Sequence, residues 1–182
     1  MDLTKLLRIG ALALLPVLAS PADAQTPAEE PVAAEMVSQG RLTLPDGAQV
    51  SAPDGSWEWR ELRDVPVKTF ILAKDQARII VMHQNVKEVN DEFMRGFVDG
   101  TLRGSAKQGI KVLEPRFAPS DFPSPGSYRF EATTVLPNGV SFTRTGYVLP
   151  TGHLILMSYQ GSTEPPELRK VAASLSTAPA KP

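Results

Sequence analysis

Apolar and polar residues alternate with a period of two along much of this chain, and the alternation is interrupted by short turn sequences. Four interruptions share one chemistry: Leu44-Pro45-Asp46-Gly47, Ala52-Pro53-Asp54-Gly55, Leu136-Pro137-Asn138-Gly139 and Leu149-Pro150-Thr151-Gly152. Asp-Gly and Asn-Gly tolerate the positive φ that tight hairpins need, and proline cannot donate to a strand ladder. The residues flanking these turns do not align with one another, so they are repeated turn chemistry and not a repeated module. Between the turns the pattern predicts strands over 41–44, 48–51, 56–62, 67–73, 78–82, 110–117, 127–136, 140–149 and 153–159. Ile79-Ile80-Val81-Met82 and Leu154-Ile155-Leu156-Met157 are apolar on both parities, the mark of central strands. In 56–62, Trp57 and Trp59 share one face while Glu58 and Arg60 share the other. Within 140–149 the apolar parity changes between Phe142 and Tyr147, which predicts a bulge near Thr145-Gly146.

Two stretches follow the helical period instead. Over 90–104, Asn90 is an N-cap, Asp91 and Glu92 occupy the acid-favouring first turn, and Phe93, Met94, Phe97, Val98 and Leu102 gather on one side. Asp91, Arg95, Asp99 and Arg103 form an i,i+4 ladder of alternating charge on the other side. Gly96, Gly100 and Gly104 also recur every four residues, for close packing on a sheet or for a partner contact. The second helix spans 165–175, with proline in its first turn, Thr163 as a cap, and Leu168, Val171, Ala172 and Leu175 as its apolar stripe. Strands in hairpin succession, a helix, more strands and a last helix give an α+β protein with a mainly antiparallel sheet covered by helices.

The ends read differently. Lys5 and Arg8 precede an uncharged apolar run over 9–18, and Ala22-Asp23-Ala24 is a small-x-small cleavage pattern. That is a signal peptide over 1–24, cleaved after Ala24, because a membrane span needs about 20 apolar residues. Residues 25–38, rich in Pro, Ala and Glu, read as a flexible acidic lead-in, and 178–182 as a disordered tail. One α+β domain over 39–177 remains. The expected address is the periplasm, with no membrane span in the mature chain.

Composition then removes function classes. Lys and Arg number 19 against 20 Asp and Glu, which shows no basic stripe and argues against nucleic acid. There is no cysteine, hence no disulfide, thiolate metal site or lipidated N-terminus. His83 and His153 are the only histidines, and neither lies in an HxH or HExxH spacing, so no metal or cofactor is expected. No G-x-S-x-G elbow, P-loop or G-x-G-x-x-G occurs, and no catalytic residue is assigned. The candidate binding residues are Trp57 and Trp59, an apolar platform with Arg60 beside it, and Phe122 in the Pro-rich loop 117–127; tryptophan and arginine are enriched at binding hot spots. The alternative for the tryptophans is simple core.

Trp57-Glu58-Trp59 after a Pro-Asp-Gly turn, the mid-chain amphipathic helix, and His153-Leu-Ile-Leu-Met-Ser-Tyr-Gln-Gly followed by Pro-Glu-Leu-Arg-Lys-Val-Ala-Ala-Ser-Leu resemble the PsbP-like fold. That fold is shared by photosystem extrinsic subunits, Ran-binding Mog proteins and DcrB-like bacterial envelope proteins. The resemblance lies in element order and patterning. It implies an α/β/α sandwich and an accessory or binding role, and it transfers no functional residue. The expected protein is therefore an exported, non-enzymatic module that binds an envelope protein or a small apolar ligand. The alternatives are a hydrolase-like enzyme using His83 or His153 with a carboxylate, or a small-ligand carrier.

Overall fold

The computed structural model describes residues 28–63, 65, 67–83, 86 and 88–176. The expected signal peptide with its cleavage point, and the expected tail at 178–182, lie outside the described residues. Eight strands form one antiparallel sheet: β1 (Glu29–Pro31), β5 (Glu58–Leu62), β6 (Thr69–Lys74), β7 (Ala77–His83), β11 (His153–Tyr159), β10 (Ser141–Val148), β9 (Ser127–Val135) and β8 (Lys111–Ser120), in that spatial order. A second, three-stranded sheet is made by β2 (Val37–Ser38), β3 (Arg41–Thr43) and β4 (Gln49–Ser51). Helices α1 (Asp91–Lys107) and α2 (Pro166–Ser174) complete the α+β architecture.

The large sheet has a core on each face. Because side chains alternate, Ile79, Val81, Ile155, Met157 and Tyr147 point to one side. There the small sheet (Leu42, Val50) and α2 (Leu168, Val171) cover them. Ile80, Met82, Leu154, Leu156 and Phe130 point to the other side, under Met94 and Phe97 of α1. The strands that read as apolar on both parities, β7 and β11, are indeed neighbours at the middle of the sheet.

Helix α1 begins where its sequence says it should, with Asn90 Oδ1 accepting from the Phe93 amide at 3.0 Å. Gly100 and Gly104 are buried against the sheet along with Thr101 and Ser105, so the glycine stripe is a close-packing face. Of the expected charge ladder, the Asp91–Arg95 pair is seen at 3.9 Å. Helix α2 starts at Pro166 with Pro165 as its cap residue and without a side-chain cap bond, in place of the Thr163 cap.

Two further expectations differ from the structure. Residues 29–38 are not all flexible lead-in. Glu29–Pro31 pairs with β5, Glu29 forms ion pairs with Arg60 (3.3 Å) and Arg78 (3.6 Å), and Val32, Met36 and Val37 pack on the core. Glu29 is thus matched to arginines on the sheet, and Glu30 pairs with Arg63 just past the end of β5 at 3.0 Å. Strand β10 runs in register with both neighbours, without a bulge at Thr145-Gly146. It is buried on both faces from Arg144 to Val148, so a change of apolar parity needs no extra residue. The irregularity falls instead in edge strand β8, between Leu113 and Arg116, where Glu114 takes φ 49° and Pro115 follows. A bulge and prolines on an edge discourage further strand pairing.

Candidate functional site

The β3–β4 turn is closed by Leu44 N–H to Ala48 O (2.7 Å) and Gly47 N–H to Leu44 O (2.8 Å), with Gly47 at φ 86°. Asp46, at its tip, accepts from the Ala48 amide through Oδ1 (3.2 Å), which leaves Oδ2 facing outward from the turn. The small sheet lays this tip over the end of the large one, where β7 finishes at His83 and β11 starts at His153. These two histidines are direct partners across the ladder. Their rings stack with centroids 4.4 Å apart and planes 19° from parallel.

Asp46 Oδ2 lies 3.2 Å from His153 Nε2 and 3.8 Å from His83 Nδ1. One donor atom from each of the three residues lies within 4.8 Å of the others. His153 is wholly buried, whereas His83 and Asp46 keep about a third of their side-chain surface (28% and 31%). The other ring nitrogen, His153 Nδ1, sits 2.7 Å from Thr151 Oγ1. His153 Nε2, although close to Asp46, is not well aligned for a hydrogen bond and has no other partner among the described residues. Burial, and then the neighbouring His83, push the His153 pKa down against the opposing pull of Asp46. The ring is therefore held neutral, the form in which imidazole binds a metal.

Donor separations decide what fits between these groups. Nitrogen and oxygen ligands at about 2.0–2.1 Å from a tetrahedral zinc stand roughly 3.3 Å from one another. The Asp46–His153 distance already meets that spacing. The Asp46–His83 distance is longer, at 3.8 Å, and all three donor atoms lie within 4.8 Å of one another. With Nε2 on a cation, Nδ1–H donates to Thr151, the outer hydrogen bond that orients a ligating histidine.

No protein-family model matches the chain, and no curated protein matches it. The site is therefore read from its own chemistry.

His83 and His153, named in the sequence only for an alternative enzymatic reading, lie here with a carboxylate, and the candidate binding residues lie elsewhere. Trp57 and Trp59 are 8% and 7% exposed and belong to the core beneath the small sheet. Trp59 Nε1 donates to Gly40 O at 3.0 Å, while Trp57 Nε1 is buried without a partner. Neither indole offers a platform to a partner in this structure. Arg60 is half-exposed and engaged by Glu29 and Glu58 (3.2 Å). Phe122 packs edge-on against Tyr147, with ring centroids 5.1 Å apart, and Arg169 lies over its other side at 4.1 Å. These four do not form one site. In the sequence Asp46 and Thr151 read only as turn residues that precede glycines; Thr151 alone stands beside a strand that begins in histidine.

Proposed function

We propose that the protein is an exported, non-enzymatic binding module of the bacterial envelope, PsbP-like in its sandwich arrangement, and that its ligand is a divalent transition-metal cation held by Asp46, His83 and His153. One observation carries this reading. A buried imidazole nitrogen, His153 Nε2, has no well-aligned hydrogen bond among the described residues, yet lies 3.2 Å from a carboxylate oxygen and beside a second imidazole. A cation would accept an electron pair from each of the three at once. Two nitrogens and one oxygen suit zinc or copper(II) better than calcium or magnesium, which prefer oxygen alone. Three protein ligands leave at least one position for water or for a group from a partner.

A second reading is supported by the run Thr151–His153–Asp46, in which a hydroxyl, an imidazole and a carboxylate stand in series as in nucleophilic hydrolases. Binding is favoured over catalysis because the amide next to Thr151, that of Gly152, already donates to Leu149 O (2.9 Å) and is not free to stabilise an oxyanion.

The test is titration of the metal-free full chain with zinc, followed by calorimetry and thermal unfolding. A single equivalent should bind, and at a hundredfold excess over Kd it should stabilise by about 2.7 kcal/mol. Asp46→Asn and His83→Ala should each weaken binding at least tenfold. Unfolding that is indifferent to zinc, or an unchanged response in both variants, refutes the cation reading. Ester hydrolysis that is lost in Thr151→Val supports the hydrolase instead.

A further inference from the structure

The opposite face of the large sheet carries a different anomaly. Arg144 is 4% exposed, and its side chain rises from β10 into the layer beneath α1, the side of Phe130 and Leu156. Its Nε donates to Ser158 Oγ at 3.0 Å, while Nη1 is buried with no partner among the described residues. Burial lowers its pKa to about 10, with no carboxylate offsetting that effect, so at neutral pH it remains a charged guanidinium. An isolated buried charge is costly, and proteins normally meet one with a counter-charge.

Two more orphans share this layer. Thr101 Oγ1 on α1 and Thr134 Oγ1 on β9 are both buried without partners among the described residues. Their positions follow from the anchoring of α1. Tyr128 OH donates to Asp91 at 2.7 Å at its start, and a Cβ on Gly109, just beyond its end, would stand 3.6 Å from Pro137. The helix therefore runs along β9 in the same direction. Ten residues of helix advance about 15 Å, which is roughly four to five strand residues. Thr101 thus arrives level with Ala132, the direct β9 partner of Arg144. Thr134 is the next β9 residue on that face. The immediate cross-strand neighbours of Arg144, Ala132 and Ser158, are small, and the helix above offers Gly100 and Gly104.

We propose that this layer between α1 and the sheet binds a compact monoanion, with Arg144 supplying the charge and the Thr101 and Thr134 hydroxyls supplying hydrogen bonds. The anion is either a small inorganic ion or the carboxylate of an otherwise apolar acid, whose remainder would meet Met94, Phe97 and Leu156. The site lies on the face away from Asp46, His83 and His153 and does not depend on a cation there.

The experiment follows thermal unfolding of the full chain at constant ionic strength, as bulky isethionate is replaced by chloride, formate, hexanoate or dodecanoate. The proposal requires a saturable rise in Tm of several degrees with at least one of these anions. A rise with chloride and formate alone assigns a small ion; a response that tightens with chain length assigns the apolar acid. Arg144→Met should abolish the response. Replacing a buried, uncompensated charge with an apolar side chain of similar length is often neutral or stabilising, so this variant should fold. Thr101→Val keeps the shape and removes one donor, and should weaken the apparent affinity roughly fivefold. A wild-type Tm that ignores the anion exchange overturns the proposal. So does a response equal to wild type in both Arg144→Met and Thr101→Val.

Discussion

At Gly146 the neighbouring strand β11 leaves no room for a Cβ, and the consequence of adding one methyl group can be worked out. A Cβ there would stand 2.7 Å from Leu156 Cδ1 and 2.9 Å from Ile155 O. The first contact is with the end of a side chain, which can turn aside. The second is with backbone of the adjacent strand, fixed in the ladder that pairs Gly146 with Leu156. Relief therefore means separating two central strands with tightly packed cores on both faces. Such overpacking costs about 1–3 kcal/mol. At about 2–4 °C per kcal/mol for a chain of this size, Gly146→Ala should lower Tm by roughly 2–12 °C. Gly55→Ala is the control, since a Cβ there meets nothing within 4 Å and no positive φ is involved. It should leave Tm unchanged or raise it slightly, by restricting the unfolded chain. The assay is thermal and urea unfolding of both variants beside the wild type. Gly146→Ala as stable as Gly55→Ala would refute the close approach of the two strands.

Two further predictions concern polar groups. Burial acts to raise the Glu131 pKa, but hydrogen bonds from Arg116 and Arg129 outweigh it and hold the carboxyl below its usual 4.5. Its folded pKa is thus depressed, so its contribution is complete above pH 4.5 and is lost as pH falls through the folded value. Glu131→Gln should flatten the Tm–pH profile below that point, and a profile parallel to wild type would contradict the pairing. The two tryptophans should differ as well: Trp59→Phe breaks the bond to Gly40 O, whereas Trp57 Nε1 has no partner to lose. Urea unfolding should show Trp59→Phe to be less stable than Trp57→Phe by about 0.5–1.5 kcal/mol; equal midpoints would count against that hydrogen bond.

What could be read from the chain was the local chemistry. Asn90 caps α1 because an Asn before an acidic first turn satisfies an orphan amide whatever the tertiary context. Gly47, Gly139 and Gly152 take positive φ because the turns leave no alternative. The both-sided apolar runs mark central strands because only two covered faces accommodate them. What could not be read depends on register. His83 and His153 meet because β7 and β11 are antiparallel neighbours with those residues opposed, and a shift of one residue would send the two rings to opposite faces. Asp46 joins them because a hairpin of the small sheet folds over the end of the large one. Searching for metal ligands by local spacing therefore found none. Arg144 escaped for a related reason: in sequence it lies in Thr-Arg-Thr, a polar stretch that reads as solvent-facing, and only two covered faces make its charge an anomaly. The two candidate sites thus share an origin. Each is a polar group placed by long-range strand pairing in a position where its local sequence gives it no partner, and each is left with an unmatched donor or acceptor beneath the surface.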